Sequence, residues 1–390
     1  MNRFILDIEV QQYIIEHINA DVHKIALSKS PFKDVSAKEL STQIKARKKA
    51  EKKLTTWFQQ HGIYYPEPLS IEQCSSETTA AFKASLIKTG KVIDLTGGFG
   101  VDSFYFAKKA QSVLHCEIND ELSQIAAHNA AVLQVKNMTF LSGDGIAYLG
   151  ATDETFDTIY IDPGRRSNAG KVFMLKDCTP DVVEHLDLLL NKGSRVIIKT
   201  SPLLDITAGL KELKHVTAVH VVSTKNECKE LLFILEKDAQ TPTRIISTTL
   251  NDSLKQFSFL NEEKAVPVIA DQLLDYIYEP DVALLKSGGF NMIGQKYNLE
   301  KLEEQTQLYT SKELKPEFPG RIFKVEGIVS AADLKKIKIL HGNVLVRNYP
   351  DQADQLARKY KIKPGKEFLI FTQMKPSRRI IIRASIIQHY

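Results

Sequence analysis

Between residues 91 and 166 four short apolar runs follow one another, each closing on a turn or an acid, with helical sequence between them. The first, residues 91–95, passes straight into Thr96-Gly97-Gly98-Phe99-Gly100 and then into a helical segment expected over residues 101–109. Strands separated by crossover helices pair in parallel, since the helix returns the chain to the same edge. A strand, a tight glycine turn and a helix start in that order let a ligand approach bare backbone amides. The second run, residues 112–116, ends at Glu117, twenty residues beyond Gly97, where a carboxylate accepts both hydroxyls of a ribose. The chain is thereby confined to an open α/β sheet with a nucleoside site at its carboxyl edge. The turn alone is shared with dehydrogenases, so a nicotinamide enzyme stays open at this point.

The rest of the sheet separates these readings. A third run, residues 138–141, leads into Ser142-Gly143-Asp144-Gly145, which places Asp144 to accept a hydrogen bond from an adenine amino group. A fourth, residues 158–161, delivers Asp162-Pro163-Gly164-Arg165-Arg166. An acid before the glycine turn (Asp94), one after strand two, one after strand three and an Asp-Pro after strand four resemble the class I S-adenosylmethionine-dependent methyltransferases. The resemblance runs on through residues 194–199 as strand five, after a helix over residues 181–190. Residues 216–222 and 231–235 supply the closing pair that sets this sheet apart from a dehydrogenase sheet. It covers residues 72–238 and implies a Rossmann-like α/β sheet with S-adenosylmethionine as cofactor. Cofactor contacts are expected from Asp94, Thr96, Gly97, Gly98, Gly100, Glu117, Ile118, Asp144 and Gly145, with Asp162, Pro163 and Arg165 at the reacting centre.

Each acid also has a purely structural reading. Asp94 can cap its own turn, Glu117 can be a solvated strand end, Asp144 a turn former beside glycine, and Asp162 a turn initiator before proline. Enzymes that methylate exocyclic amino groups of bases commonly carry Asp/Asn-Pro-Pro and an aromatic residue. Gly164 and Arg165 stand at those places here, although an arginine plane also stacks on a base and Phe173 lies further along the loop. RNA uracil-C5 methyltransferases need a cysteine after strand five, where this chain has Thr200-Ser201-Pro202, so covalent activation of a pyrimidine carbon is not expected.

The 390 residues carry a formal net charge of +5, and the excess lies at one end. Residues 321–390 hold 15 Lys+Arg against 5 Asp+Glu, so residues 1–320 are net acidic. This basic segment reads as a small α+β domain in the order β-α-β-α-β-β, with Lys-Pro-Gly and Lys-Pro-Ser turns. Arg379 and Arg383, four apart on the last strand, share a face. The segments Asp94-Leu95-Thr96-Gly97-Gly98-Phe99-Gly100, Asp162-Pro163-Gly164-Arg165-Arg166 and Lys375-Pro376-Ser377-Arg378-Arg379 resemble a bacterial methyltransferase family with a THUMP-like C-terminal domain. That resemblance implies an RNA substrate, tRNA or rRNA. Arg165, Arg166, Lys375, Arg378 and Arg379 are the residues expected to meet it, a basic surface serving only solubility being the alternative.

Four parts are thus expected: a helical N-terminal region (1–71), the methyltransferase domain (72–238), an intermediate linker segment (239–320) and the basic domain (321–390). Residues 45–53 form a lysine-rich helix face expected to be solvated. Ser75, Ser76 and Thr78 precede strand one, where helix caps or cofactor contacts are both open. Gly288-Gly289 lacks the Lys-Ser/Thr of a phosphate loop and reads as a helix end. Cys74, Cys116, Cys178 and Cys228 have no metal or redox spacing, and no metal is expected. Without a run of about eighteen apolar residues or the apolar centre of a signal peptide, the chain is expected to be cytoplasmic, off the membrane and without an obligatory protein partner. Besides RNA methylation, two alternatives remain: methylation of a protein or small molecule, and RNA binding without catalysis.

Overall fold

The computed structural model describes residues 1–165, 174–237, 239, 242–336, 340–375 and 378–390. Two compact units divide the chain, the first comprising Met1–Thr217 with Leu232–Gln240 and the second Ala218–Leu231 with Thr241–Tyr390.

The first unit opens with helices α1 (Ile8–Glu16), α2 (Val22–Leu27), α3 (Ala37–Lys53), α4 (Thr55–Gln59), α5 (Pro68–Gln73) and α6 (Glu77–Ala84). The longest, α3, starts at a reciprocal cap in which Ser36 and Glu39 satisfy each other's backbone amides. Its face turns inward through Leu40, Ile44, Ala46 and Ala50. Trp57 joins this core with its ring 4.7 Å from Phe104, so the helical region and the first crossover helix share one apolar cluster. Arg47 does not follow the expectation of a solvated basic face. It is 6% exposed, donates to the Phe58 carbonyl at 2.7 Å and lies 5.0 Å over the Phe58 ring. A guanidinium is weakly hydrated and its stem is apolar, so an aromatic face and a carbonyl suffice to bury it.

Then follow β1 (Lys91–Asp94), α7 (Val101–Ala107), β2 (Ser112–Glu117), α8 (Asp120–Val132), β3 (Met138–Ser142), α9 (Gly145–Ala151) and β4 (Thr158–Ile161). After a two-residue pair, β5 (Gly164–Arg165) with β6 (Cys178–Thr179), come α10 (Leu186–Lys192), β7 (Val196–Thr200), α11 (Ile206–Glu212) and the hairpin β8 (Val216–Thr224) and β9 (Glu227–Leu235). The strand order β8-β9-β7-β4-β1-β2-β3 returns β9 against β7, as expected for the closing pair. From β7 to β3 every pairing is parallel. Central strands β1, β4 and β7 are nearly continuous apolar runs because helices cover both of their faces. The helix expected from residue 181 begins at Leu186 instead, since the Asp181 carboxylate accepts from the Val183 and Glu184 amides and holds a turn there.

In the second unit, β10 (Arg244–Leu250) pairs in parallel with residues 218–223 and antiparallel with β11 (Leu254–Leu260). The elements β12 (Tyr276–Pro280), α12 (Val282–Ser287), α13 (Phe290–Tyr297), β13 (Glu300–Glu303) and β14 (Thr306–Ser311) follow. Gly288 ends α12 in the left-handed region at φ +79°, the helix stop that the glycine pair suggests. The last elements are β15 (Gly320–Val329), α14 (Ala331–Lys336), β16 (Leu340–Val346), α15 (Ala353–Lys359), β17 (Ile362–Met374) and β18 (Arg378–Gln388). One seven-stranded sheet takes them in the order β13-β14-β12-β15-β18-β17-β16. Ile380 and Ile382 of β18 belong to one apolar cluster and Ile381 to another, so this strand is buried on both faces along its middle. Among the described residues no helix is long and apolar enough to cross a membrane.

Candidate active site

The glycine turn is built by the chain's own backbone. Gly97 donates to the Cys116 carbonyl at 2.8 Å, Gly100 donates to the Gly97 carbonyl at 2.9 Å, and Gly100 enters α7 at φ +84°. Only glycine adopts that angle without strain. A Cβ on Gly97 would stand 2.2 Å from Nε2 of His115, whose ring is wholly buried beneath the turn. Burial holds His115 down to about 4, so it packs as a neutral ring.

Asp94 closes the turn from below. Its carboxylate accepts from the Thr96 amide at 3.1 Å and from the Ser103 hydroxyl at 2.6 Å, and it is 1% exposed. Burial pushes it up to about 7. Folding therefore favours protonated Asp94 and neutral His115, with opposite consequences for pH. An acid that keeps its proton in the fold up to about 7, against an ordinary value of 3.8, contributes stability at low pH that is lost as pH rises through that window. His115, depressed from 6.5 to about 4, contributes stability above 6.5 that is lost as pH falls toward 4. Comparing urea midpoints from pH 4 to 7, Asp94→Asn should remove a fall of up to roughly 1.4 kcal/mol per pH unit relative to the native chain. Identical pH slopes for both proteins would show that Asp94 is ionised throughout.

At the end of β2, Glu117 accepts from the Gly98 amide at 2.9 Å and from the Asn119 amide at 2.8 Å. A carboxylate has about four lone-pair sites, so it retains two for further donors. Ile118 beside it is 76% exposed, an apolar side chain held bare at the same edge. Asp144 caps α9 through one oxygen, accepting from Ile146 at 2.8 Å and Ala147 at 3.2 Å. Gly145 lies so near strand one that a Cβ would be 2.8 Å from the Leu95 carbonyl oxygen.

Asp162 follows β4. Its amide donates to the Thr96 hydroxyl oxygen at 2.7 Å, and its Oδ2 meets the ammonium of Lys199 on β7 at 2.5 Å. Oδ1 has no partner among the described residues. Sequence reasoning missed Lys199, although a lysine closing the apolar run Val196-Ile197-Ile198 was the available signal. Pro163 is buried; Arg165 is described at its backbone, paired with Cys178, while Arg166 and Phe173 lie outside the described residues.

A cavity of about 170 Å³ gathers Thr96, Gly97, Gly98, Gly100, Asp102 and Asp162 with residues 73–75 of the α5–α6 corner. Asp94, Glu117, Ile118, Asp144 and Gly145 do not line it. A Cβ on Gly98 would meet nothing nearer than the Thr96 carbonyl oxygen at 3.9 Å, so glycine leaves that space open to a ligand. Of the three hydroxyl residues before strand one, Ser76 caps α6 and Ser75 lines the cavity. His128 lies on α8, where its Nε2 meets the Gly62 carbonyl at 2.8 Å. Among the described residues no group of three or more His, Cys, Asp or Glu is placed to hold a metal ion.

In the second unit Arg378 and Arg379 are exposed at the start of β18, and Lys375 is exposed just before it. The Arg379 guanidinium lies 5.9 Å from the Tyr349 ring centre. Arg383, on the same face, is engaged by Glu367 through two bonds of 2.8 Å, which withdraws it from the expected basic face.

Residues 276–319 match a ferredoxin-like domain model and residues 320–385 a THUMP domain-like model. A crystal structure of a candidate methyltransferase from Porphyromonas gingivalis W83 is 30% identical, covers 99% of both chains and superposes with a TM-score of 0.86. A protein from Mycoplasma mobile (strain ATCC 43663 / 163K / NCTC 11711), named as an uncharacterized RNA methyltransferase, is 31% identical over 160 residues. That match spans 37% of this chain and 44% of the relative, less than half the relative's length. With the closing pair set against β7, the acids at the carboxyl edge and a full-length relative, the chain belongs to the class I methyltransferase family with a THUMP-like C-terminal domain.

Proposed function

We propose that this chain transfers a methyl group from S-adenosylmethionine to a base of a structured RNA, tRNA or rRNA, with Asp162 orienting the acceptor. The observation that carries this reading is the cavity in which the glycine turn and Asp162 meet, with Asp162 fixed by Thr96 and Lys199. The residues suit that cofactor: open space over Gly98, spare acceptor sites on Glu117 for a ribose and a bare Ile118 for an adenine face. S-adenosylmethionine, when bound, supplies a methyl group activated by a sulfonium.

Every other element of the mechanism belongs to the chain. Asp162 Oδ1 accepts a hydrogen bond from the acceptor's N–H, which turns the nucleophilic lone pair toward the methyl group and receives the proton the acceptor loses. Lys199 holds Oδ2 and so keeps the carboxylate from rotating away. Holding two reactants in attack geometry supplies most of the rate in such a transfer. The RNA class draws support from the THUMP domain-like match, the relative's name and the exposed Lys375, Arg378 and Arg379.

The test is transfer of labelled methyl from S-adenosylmethionine to total RNA and, in parallel, total protein, both from a strain lacking this protein. Label in RNA alone is the expected result, and label in protein alone would overturn the RNA reading. In filter binding, Arg378→Ala with Arg379→Ala should weaken RNA binding and reduce the slope of log affinity against log salt by about two. An unchanged slope would remove these arginines from the interface.

A further inference from the structure

The helix α5 is six residues long, and with its two caps it borders open space on two sides. Ser70, Gln73 and Cys74 line the glycine-turn cavity. Glu67 and Ser70 line a second cavity, of about 330 Å³, together with Tyr64, Asn119 and Leu122. Ile71 is the one buried side chain of α5. A helix this short does not hold itself together in water, and one buried side chain fixes neither its tilt nor its distance from the glycine turn.

The end of α3 supplies what packing does not. The last carbonyls of a helix have no partner within it. Lys53 donates to two of them, the Ile71 carbonyl at 2.9 Å and the Glu72 carbonyl at 2.6 Å. An ammonium there also meets the negative end of the helix dipole. One turn earlier on α3, Lys49 pairs with the Glu72 carboxylate. Two lysines of the run expected to be a solvated face are thus committed to one short helix. Immediately beyond those carbonyls the chain passes through Gln73, Cys74 and Ser75, which line the glycine-turn cavity, whereas Lys53 does not line it.

We propose that Lys53 is a positioning residue for the cofactor: by anchoring the end of α5 it sets how closely residues 73–75 stand to the glycine turn, and through that the affinity for S-adenosylmethionine. This inference rests on the S-adenosylmethionine reading. Two roles within the site are thereby separated. Asp162 is held by Thr96 and by Lys199 of the central sheet, without help from α5. Loss of Lys53 therefore shows in cofactor binding and not in the transfer step.

The experiment is calorimetric titration of the full chain with S-adenosylhomocysteine, alongside single-turnover transfer at saturating S-adenosylmethionine to RNA from a strain lacking this protein. Lys53→Met should weaken S-adenosylhomocysteine about tenfold while the saturating rate stays within about twofold of native. Lys53→Arg should bind within about threefold of native, since a guanidinium still donates to both carbonyls. Binding by Lys53→Met within about twofold of native, a Lys53→Arg variant no better than Lys53→Met, or a saturating rate that falls as far as the affinity would each overturn the proposal. If Lys53→Met does not fold, Lys53→Gln, neutral and shorter, decides it on the same comparisons. No binding of S-adenosylhomocysteine by the native chain would overturn the cofactor reading itself, an outcome separable from binding that is indifferent to Lys53.

Discussion

Asp162→Asn should reduce methyl transfer by about two to four orders of magnitude, the usual contribution of a positioned acid or base, while the affinity for S-adenosylhomocysteine changes only a few-fold. The reason lies in how the two carboxylate oxygens are used. Lys199 occupies Oδ2, and an asparagine carbonyl oxygen still accepts from that ammonium, so the local fold survives. What asparagine cannot do is take a proton or present a second acceptor to the incoming N–H. Single-turnover rates separate these effects, because they read the transfer step without product release. A variant retaining a tenth or more of the native single-turnover rate would move the reacting centre away from Asp162. Lys199→Met should fall between the two, since it leaves the carboxylate in place but releases its orientation.

Gly97→Ala is expected to have the largest effect on the fold of the site. The added Cβ would come within 2.2 Å of His115 Nε2 and 2.3 Å of its Cδ2, distances no packing tolerates. His115 is 0% exposed and its ring centre lies 5.2 Å from that of Phe140, so it has no free direction in which to retreat. Overpacking of this kind costs about 1–3 kcal/mol, and more where a turn must shift. Thermal unfolding should report the loss, with cofactor binding lost alongside because the Gly97 amide is tied to the Cys116 carbonyl. The clash makes a sharper claim. Combining Gly97→Ala with His115→Ala should restore part of the stability, since residues in contact do not add. A double variant no more stable than the sum of the singles would mean that the glycine is needed for another reason.

Much of this protein was legible before any coordinates. Apolar runs closing on Gly97, Glu117, Asp144 and Asp162 determined a parallel sheet with its acids at one edge, because strand period, crossover helices and turn residues are short-range properties written within a few positions. The β-α-β-α-β-β order of the last seventy residues was readable for the same reason. The glycine pair at Gly288 also declared itself as a helix end.

Only the tertiary structure decided which partners those residues have. Lys199 meets Asp162 across 37 positions, and Asp102 meets Ser75 across 27, contacts created when β7 comes to lie beside β4 and α6 beside α7. Arg47 looks like its exposed lysine neighbours in sequence, yet it is buried because Phe58 and Tyr65 offer it their faces. Asp94 carries the same carboxylate as Glu117, and the fold alone commits it to Thr96 and Ser103, raising it to about 7 out of reach of water. Sequence determined the elements and the edge because hydrogen-bond ladders and turns are local. Burial, ion pairing and the cavity wall depend on which distant segments share a dry interior, and that only packing establishes.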